Sequence, residues 1–302
     1  MDGRSKRAAW LCAGLFLFQA WVQGAQAAPL PAGEQERACW LKYTRLRSQP
    51  GLERTSVSFS NLADGYTVRT PFQVNFAVRG MGVAPAGRQL ANTGHHHLLI
   101  DTPLPMSVTD KIPFSDSHKH FGGGQTGTIV KLPPGQHRLR LLFADHEHRP
   151  YFVYSKELKI NVAGERSTQP LAIDPRRFDE TCEAWYQDEV SRPRSPGDWL
   201  GVTNLRDGEP VVSPFSVHLG VEGFGISAEG HSGPKLGHFM VQVLAAKTVV
   251  QSQNLSNGAT QATFTMPNGS YVMRVRLVES GTGRDMLPPS DHNLVVVGQE
   301  RL

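Results

Sequence analysis

The chain repeats itself, and the repeat limits the folds open to it more than any other feature. Residues 61–83 read NLADGYTVRTPFQVNFAVRGMGV, and residues 204–226 read NLRDGEPVVSPFSVHLGVEGFGI. Asn61, Leu62, Asp64, Gly65, Pro71, Phe72, Val74, Val78, Gly80 and Gly82 recur at an offset of 143, since 204 − 61 = 143. Cys39 maps onto Cys182, Gly94 onto Gly237 and His95 onto His238 at the same offset. Further on, TIVKLPPGQHRLRLLFAD aligns with ATFTMPNGSYVMRVRLVE at an offset of 134, as 269 − 135 = 134. The chain therefore has to build one structural plan twice.

The plan is all-β. Short alternating runs such as FQVNFAV, HHHLLI, TIVKL, HRLRLLF and LKINV are divided by Gly, Pro, Asn and Asp turns, the pattern of sandwich strands. In LPPGQHRLRLLFAD, a Pro-Gly turn is followed two positions on by His137 and then by alternation. This is the place of the corner tyrosine in immunoglobulin-like sandwiches, and the second copy has Tyr271 there. A helix is expected ahead of each sandwich. DPRRFDETCEAWYQDEV opens with Asp174 as cap and Pro175 in the first turn, and Phe178, Cys182 and Trp185 share a face. Its counterpart, around QERACWLKYTRL, carries Cys39 and Trp40. The expected layout is a leader over 1–27, a helical segment over 28–54, a histidine-rich immunoglobulin-like β-sandwich over 55–163, a linker and helix over 164–198, and a second, degenerate sandwich over 199–302.

The leader reads as a secretory signal. Arg4, Lys6 and Arg7 precede the apolar stretch AAWLCAGLFLFQAWV, and Ala25 to Ala27 supply small residues for cleavage. The apolar stretch is short for a membrane span, no later stretch reaches spanning length, and Cys12 sits too early for a lipid anchor. The expected location is periplasmic or secreted. Cleavage removes three cations and one anion, so the formal charge falls from +4 to +2, as 4 − 3 + 1 = 2. That bias is too small to argue for nucleic acid or anionic lipid as a partner. Cys39 and Cys182 remain, at equivalent positions in an exported chain, and are expected to form a disulfide that pins the two helices together.

Of 12 histidines, eight fall between His95 and His148. In the second copy, GHFMVQV places Phe239, Val241 and Val243 on one face. Strand alternation carries that register back to GHHHLLID. His96, Leu98 and Ile100 are expected to face the core, and His95 and His97 to face outward together. The immunoglobulin-like strand order brings the B–C loop, the F–G loop and the start of strand E to one end. His118 and His120, and His146 and His148, should meet His95 and His97 there. Imidazole nitrogen is a preferred ligand for copper and zinc, and Gln125 and Asp145 are candidates to ligate or orient the histidines. The absence of a nearby thiolate argues against a cysteine-type structural zinc site. His137 is expected to be structural, His96 a satisfied core residue, and His218, His231 and His292 surface residues.

The motifs GMGVAPAG, NTGHHHLLID, HKHFGGGQT, LPPGQHRLRLL and DHEH resemble a bacterial secreted-domain family of unknown function, over residues 60–162. The resemblance implies a small secreted β domain with a histidine-rich face. The family pattern usually continues GQT with a glutamate, where this chain has Gly127; the second copy resembles the family faintly and lacks the HHH and HFG-GQT elements. Three functions remain in play. One is an exported metal-binding protein for copper or zinc. The second is a non-catalytic module that binds a cell-envelope protein or glycan. The third is a metalloenzyme, which ranks last because no Ser-His-Asp pattern, paired carboxylates or HExxH motif is present.

Overall fold

The computed structural model describes residues 27–51 and 54–298, so the expected leader lies outside the described residues apart from Ala27. No described helix is long and apolar enough to cross a membrane. Two short helices come first, α1 (Glu34–Lys42) and α2 (Thr44–Ser48). Strands β1 (Ser56–Phe59), β2 (Thr67–Thr70), β3 (Phe72–Arg79), β4 (Gly82–Val83) and β5 (Thr93–Ile100) follow. Then come β6 (His118–Phe121), β7 (Gly127–Val130), β8 (Gly135–Ala144), β9 (Pro150–Tyr154) and β10 (Leu158–Glu165). Helix α3 (Phe178–Val190) leads to β11 (Trp199–Val202), β12 (Glu209–Val212), β13 (Phe215–Glu222), β14 (Gly225–Ile226) and β15 (Leu236–Ala245). The last strands are β16 (Thr248–Asn254), β17 (Gln261–Phe264), β18 (Gly269–Glu279) and β19 (Ser290–Val297).

The two halves share one sheet order. In the first, β1-β3-β7 face β2-β10-β8-β5-β4, with β6 added to β5 and β9 to β8. In the second, β11-β13-β17 face β12-β19-β18-β15-β14, with β16 added to β15. Alternation builds each core: Phe72, Val74, Phe76 and Val78 of β3 meet Leu98, Ile100, Leu141 and Phe143 from the opposing sheet. Transfer of these side chains out of water is the main favourable contribution to folding.

The sandwich corners repeat as well. Tyr271 Oη donates to Pro267 O at 3.0 Å. In the first half His137 Nε2 donates to Pro133 O at 2.9 Å. The imidazole makes a second contact that a phenol could not, from Nδ1 to Asp101 Oδ2 at 2.7 Å. Burial lowers the pKa of His137, but the Asp101 carboxylate and the Pro133 carbonyl outweigh it and the net shift is upward. Burial raises Asp101, and the Arg138 N–H and His137 bring it to a net downward shift.

The halves are joined about a local twofold axis. Val221 N donates to Thr126 Oγ1 at 3.0 Å, and its counterpart Val78 N reaches Thr260 Oγ1 at 3.4 Å. Ile226 N donates to Gly124 O and Val83 N to Gly258 O, both at 2.8 Å. A Cβ on Gly82 would enter the backbone at Asn257, and one on Gly225 the backbone at Gly123. This close approach explains why both copies keep glycine at that position. Equivalent residues that touch each other must lie on the axis, and two pairs do. Cys39 and Cys182 are disulfide-bonded with their Cα atoms 5.5 Å apart, and the rings of Tyr43 and Tyr186 stack at 4.0 Å.

The helices are exchanged across this axis. Helices α1 and α2, which precede the first sandwich, dock on the second. Trp40 Nε1 donates to Glu209 Oε2 at 2.7 Å, and Thr44 and Arg47 also bond the Glu209 carboxylate. Glu209 is fully buried yet well supplied with donors, as a buried charge must be. Helix α3 docks on the first half, where Gln187 Oε1 accepts from Thr67 N at 2.7 Å and Asp188 pairs with Arg166 at 2.8 Å.

Two outcomes follow from these contacts. The disulfide closes a separation of 143 residues, so Cys39→Ser with Cys182→Ser should cost up to about 4–5 kcal/mol in urea unfolding. A change below about 1 kcal/mol would show that the axis is held without it. The raised pKa of His137 gives stability that is full below its unfolded value of about 6.5 and is lost as pH rises through the folded value. The lowered pKa of Asp101 gives stability present above about 3.8 and lost as pH falls. The advantage of wild type over His137→Tyr in thermal melting should therefore peak between those limits and shrink toward alkaline pH; a constant difference from pH 5 to 9 would contradict this coupling.

Candidate metal centre

The centre is built from strand register outward. Gly94 lets β5 begin tight against β8, where a Cβ would strike Ala144 O and the Phe143 ring. His95 then pairs with Ala144 and His97 with Leu142 on β8, and His97 also pairs with His120 on β6. Leu98 and Ile100 take the core face. His96 takes it with them, its ring 5.1 Å from Phe76 and 5.0 Å from Phe143. Burial lowers the pKa of His96 to about 3, and neither ring nitrogen has a hydrogen-bond partner in the described structure. It is a core histidine as expected, but not a satisfied one.

His95 and His97 lie on the opposite face, and both are completely buried. Their outward direction does not expose them, because residues 102–117 fold back over this face. Leu104 and Ile112 pack on Leu99, Leu142 and Ala144. The Phe114 ring stands 4.6 Å from that of His120 and 5.1 Å from that of His148. His120 fits because Gly122 follows it: a Cβ there would collide with the imidazole. His148 comes from the turn after β8. Asp145 Oδ1 accepts from Glu147 N and Arg149 N, both at 2.8 Å. The turn holds His148 at φ 70°, in the left-handed region that non-glycine residues seldom adopt.

Four imidazoles converge as a result. His95 Nε2 lies 3.1 Å from His97 Nε2 and 3.2 Å from His148 Nδ1. One nitrogen from each of His95, His97, His120 and His148 falls within 4.8 Å of the others. Burial lowers the pKa of His95 to about 3, with neighbouring His120 and His148 adding to the shift and Asp145 opposing it. His97 is lowered more by burial and its neighbours; His120 and His148 are also lowered, chiefly by burial. The four imidazoles are therefore neutral at pH 7, each with one ring nitrogen carrying a lone pair. A neutral imidazole nitrogen either donates one proton or accepts through one lone pair. His95 Nε2 cannot satisfy both close neighbours in either state. A cation between them satisfies all three lone pairs at once. With metal–nitrogen bonds of about 2.0–2.1 Å, adjacent ligand nitrogens stand about 2.9–3.4 Å apart, which brackets both contacts.

The other candidates lie outside the cluster. His118 pairs with Leu99, two residues past His97 on the same face of β5, and its Nδ1 lies 3.2 Å from Ser115 Oγ. His146 meets its neighbours through its carbonyl, which accepts from Gly87 N at 2.8 Å. Gln125 Oε1 accepts from Gly123 N at 2.9 Å and shapes the GGGQ turn. Asp145 shapes the turn that carries His148 rather than orienting a ring. In the second half His238 Nδ1 faces Ser280 Oγ at 3.4 Å, and Met240 Sδ takes Arg276 Nη1 at 3.2 Å. His292 is buried, contrary to the surface expectation, because it shares the inward face of β19 with Leu294 and Val296. Phe114 and Gly122 are the parts of the site that sequence reading missed. Phe114 gave no signal, whereas Gly122 lay inside the quoted HKHFGGGQT motif.

No curated protein matches the chain. Among solved structures, an engineered protein is 16% identical with a TM-score of 0.25, covering 46% of this chain; the chain spans only 32% of that protein. CopC from Methylosinus trichosporium OB3b is 16% identical with a TM-score of 0.22, over 35% of this chain and 99% of that one. The fibronectin(III)-like modules of Clostridium thermocellum CbhA are 10% identical with a TM-score of 0.22, over 82% of this chain and 97% of theirs. Residues 74–163, which contain all four converging histidines, match the model of the domain of unknown function DUF4399.

Proposed function

We propose that this is an exported metal-binding protein whose first sandwich holds one copper or zinc ion through His95, His97, His120 and His148. The observation that carries the reading is the approach of two neutral ring nitrogens, His97 Nε2 at 3.1 Å and His148 Nδ1 at 3.2 Å, to His95 Nε2, which has a single proton or a single lone pair to share between them. An all-imidazole donor set suits copper and zinc, and the Irving–Williams order favours copper(II) where both are present. The Cys39–Cys182 bridge supports an oxidising compartment. The site has four protein ligands and is buried beneath residues 102–117, which suits holding and handing over an ion better than activating a bound water.

Untagged protein should bind one equivalent of Cu(II) or Zn(II) in isothermal titration. His95→Ala with His97→Ala should weaken that binding by at least about 100-fold. His118→Ala and His146→Ala should leave it within about threefold, and His96→Leu should leave it unchanged while raising stability by about 1 kcal/mol, because it removes two unpartnered buried nitrogens. Equal affinity in wild type and the double variant would place any bound metal elsewhere.

A further inference from the structure

A cavity of about 660 Å³ lies at the seam between the halves. It is lined by Phe59, Ser60 and Gln73 of the first half and by Trp199 and His218 of the second, with Arg194 from the segment after α3. None of these belongs to the histidine cluster. The seam's local symmetry makes the cavity informative. Asn61 and Asn204 are equivalent and unchanged, and both are spent on structure: Asn61 Nδ2 bonds Gln73 O and Val190 O, and Asn204 Nδ2 bonds Ser216 O and Arg47 O. The positions beside them have diverged. Gln73 stands opposite Ser216, and Asn75 opposite His218, at the offset of 143. A seam needed only for packing has no reason to acquire different polar groups on its two walls.

These groups are incompletely used. Gln73 is 3% exposed; its amide nitrogen donates to Asn75 Oδ1 at 3.0 Å, but Oε1 has no partner in the described structure. Ser60 Oγ and His218 Nδ1 are also buried without partners. Burial lowers the pKa of His218 to about 4, so its ring is neutral at pH 7. Arg194 lies 3.9 Å from the Trp199 ring centroid and makes one side-chain hydrogen bond, from Nη1 to Glu222 Oε1 at 3.1 Å. The rest of its fork remains available to a carboxylate. Glu189, a carboxylate in the same wall, is already bonded by Arg192 and Arg206.

We propose that the seam cavity binds a hexuronate, either free or as the end residue of a short glycan. Its carboxylate pairs with Arg194. Its hydroxyls donate to Gln73 Oε1 and accept from or donate to Ser60 and His218, and its carbon face lies along Phe59 and Trp199. The volume falls within the range that holds small organic ligands. A neutral sugar makes no ion pair with the part of the Arg194 fork that Glu222 leaves open, and an aliphatic acid leaves Gln73 Oε1, Ser60 Oγ and His218 Nδ1 without partners, so the wall selects for both groups together.

The test is titration of the full chain with D-glucuronate, D-galacturonate, D-glucose and acetate, read by tryptophan fluorescence and by thermal shift. Saturable millimolar binding of a hexuronate is expected, with neither glucose nor acetate saturating. Arg194→Gln and Gln73→Leu should each weaken it by about tenfold or more, while Cu(II) titration and far-ultraviolet circular dichroism stay as in wild type. If Arg194→Gln does not fold, Gln73→Leu decides alone. Absence of saturable hexuronate binding, equal binding of glucose, or hexuronate binding untouched in a folded variant would overturn the assignment.

Discussion

The register of strand β5 is the constraint on which the rest depends. Leu98 and Ile100 must enter the core, and a shift of one residue would exchange the two faces of the whole strand. With the register fixed by burial, His96 is committed to the interior and His95 and His97 to the other face. The same strand spacing puts His120 beside His97 on β6 and the end of β8 beside His95. Apolar burial thus positions the candidate ligands. The loop of residues 102–117 then removes them from water, which keeps the imidazoles neutral and makes their crowding costly unless something sits between them.

A second constraint is the local twofold axis. Backbone groups of one half bond Thr126, Gly124 and their counterparts Thr260 and Gly258 in the other, so both outer edges of the seam are built from the same few positions. The exchange of helices adds Glu209 and Gln187 as anchors on opposite halves. This is the arrangement expected of a symmetric pair of modules fused into one chain, with the disulfide on the axis. Symmetry also frees one copy to diverge. The first half carries four converging histidines, whereas the matching positions of the second hold His238 and Met240, each engaged locally.

Much of this was legible in the sequence because it rests on period and repeat. Alternation gave the strands and the opposite facing of His96 against His95 and His97. Equivalent positions gave the Cys39–Cys182 bridge, and His137 was readable as a corner residue from Tyr271. Two of the six candidate histidines fall outside the cluster for local reasons that period does not carry: His118 pairs with Leu99, past His97 on β5, and its ring meets Ser115. His146 and His148 were separable only through the turn that Asp145 ties. The helix exchange left no trace, since docking on either half satisfies the same apolar face. The cover over His95 and His97 was hidden because Leu104, Ile112 and Phe114 are scattered through a polar, proline-containing stretch without a period. His292 was readable: its alternation with Leu294 and Val296 assigns it inward.

The most direct test of the central claim is the coordination shell of the ion itself. X-ray absorption at the copper edge, on untagged protein carrying one equivalent of Cu(II), should give three to four nitrogen neighbours at about 2.0 Å with the outer-shell scattering of imidazole rings. The same measurement on His120→Ala with His148→Ala should lose about half of that imidazole signal. A shell dominated by oxygen, or a spectrum unaltered in the double variant, would contradict the assignment of these four histidines as the metal site.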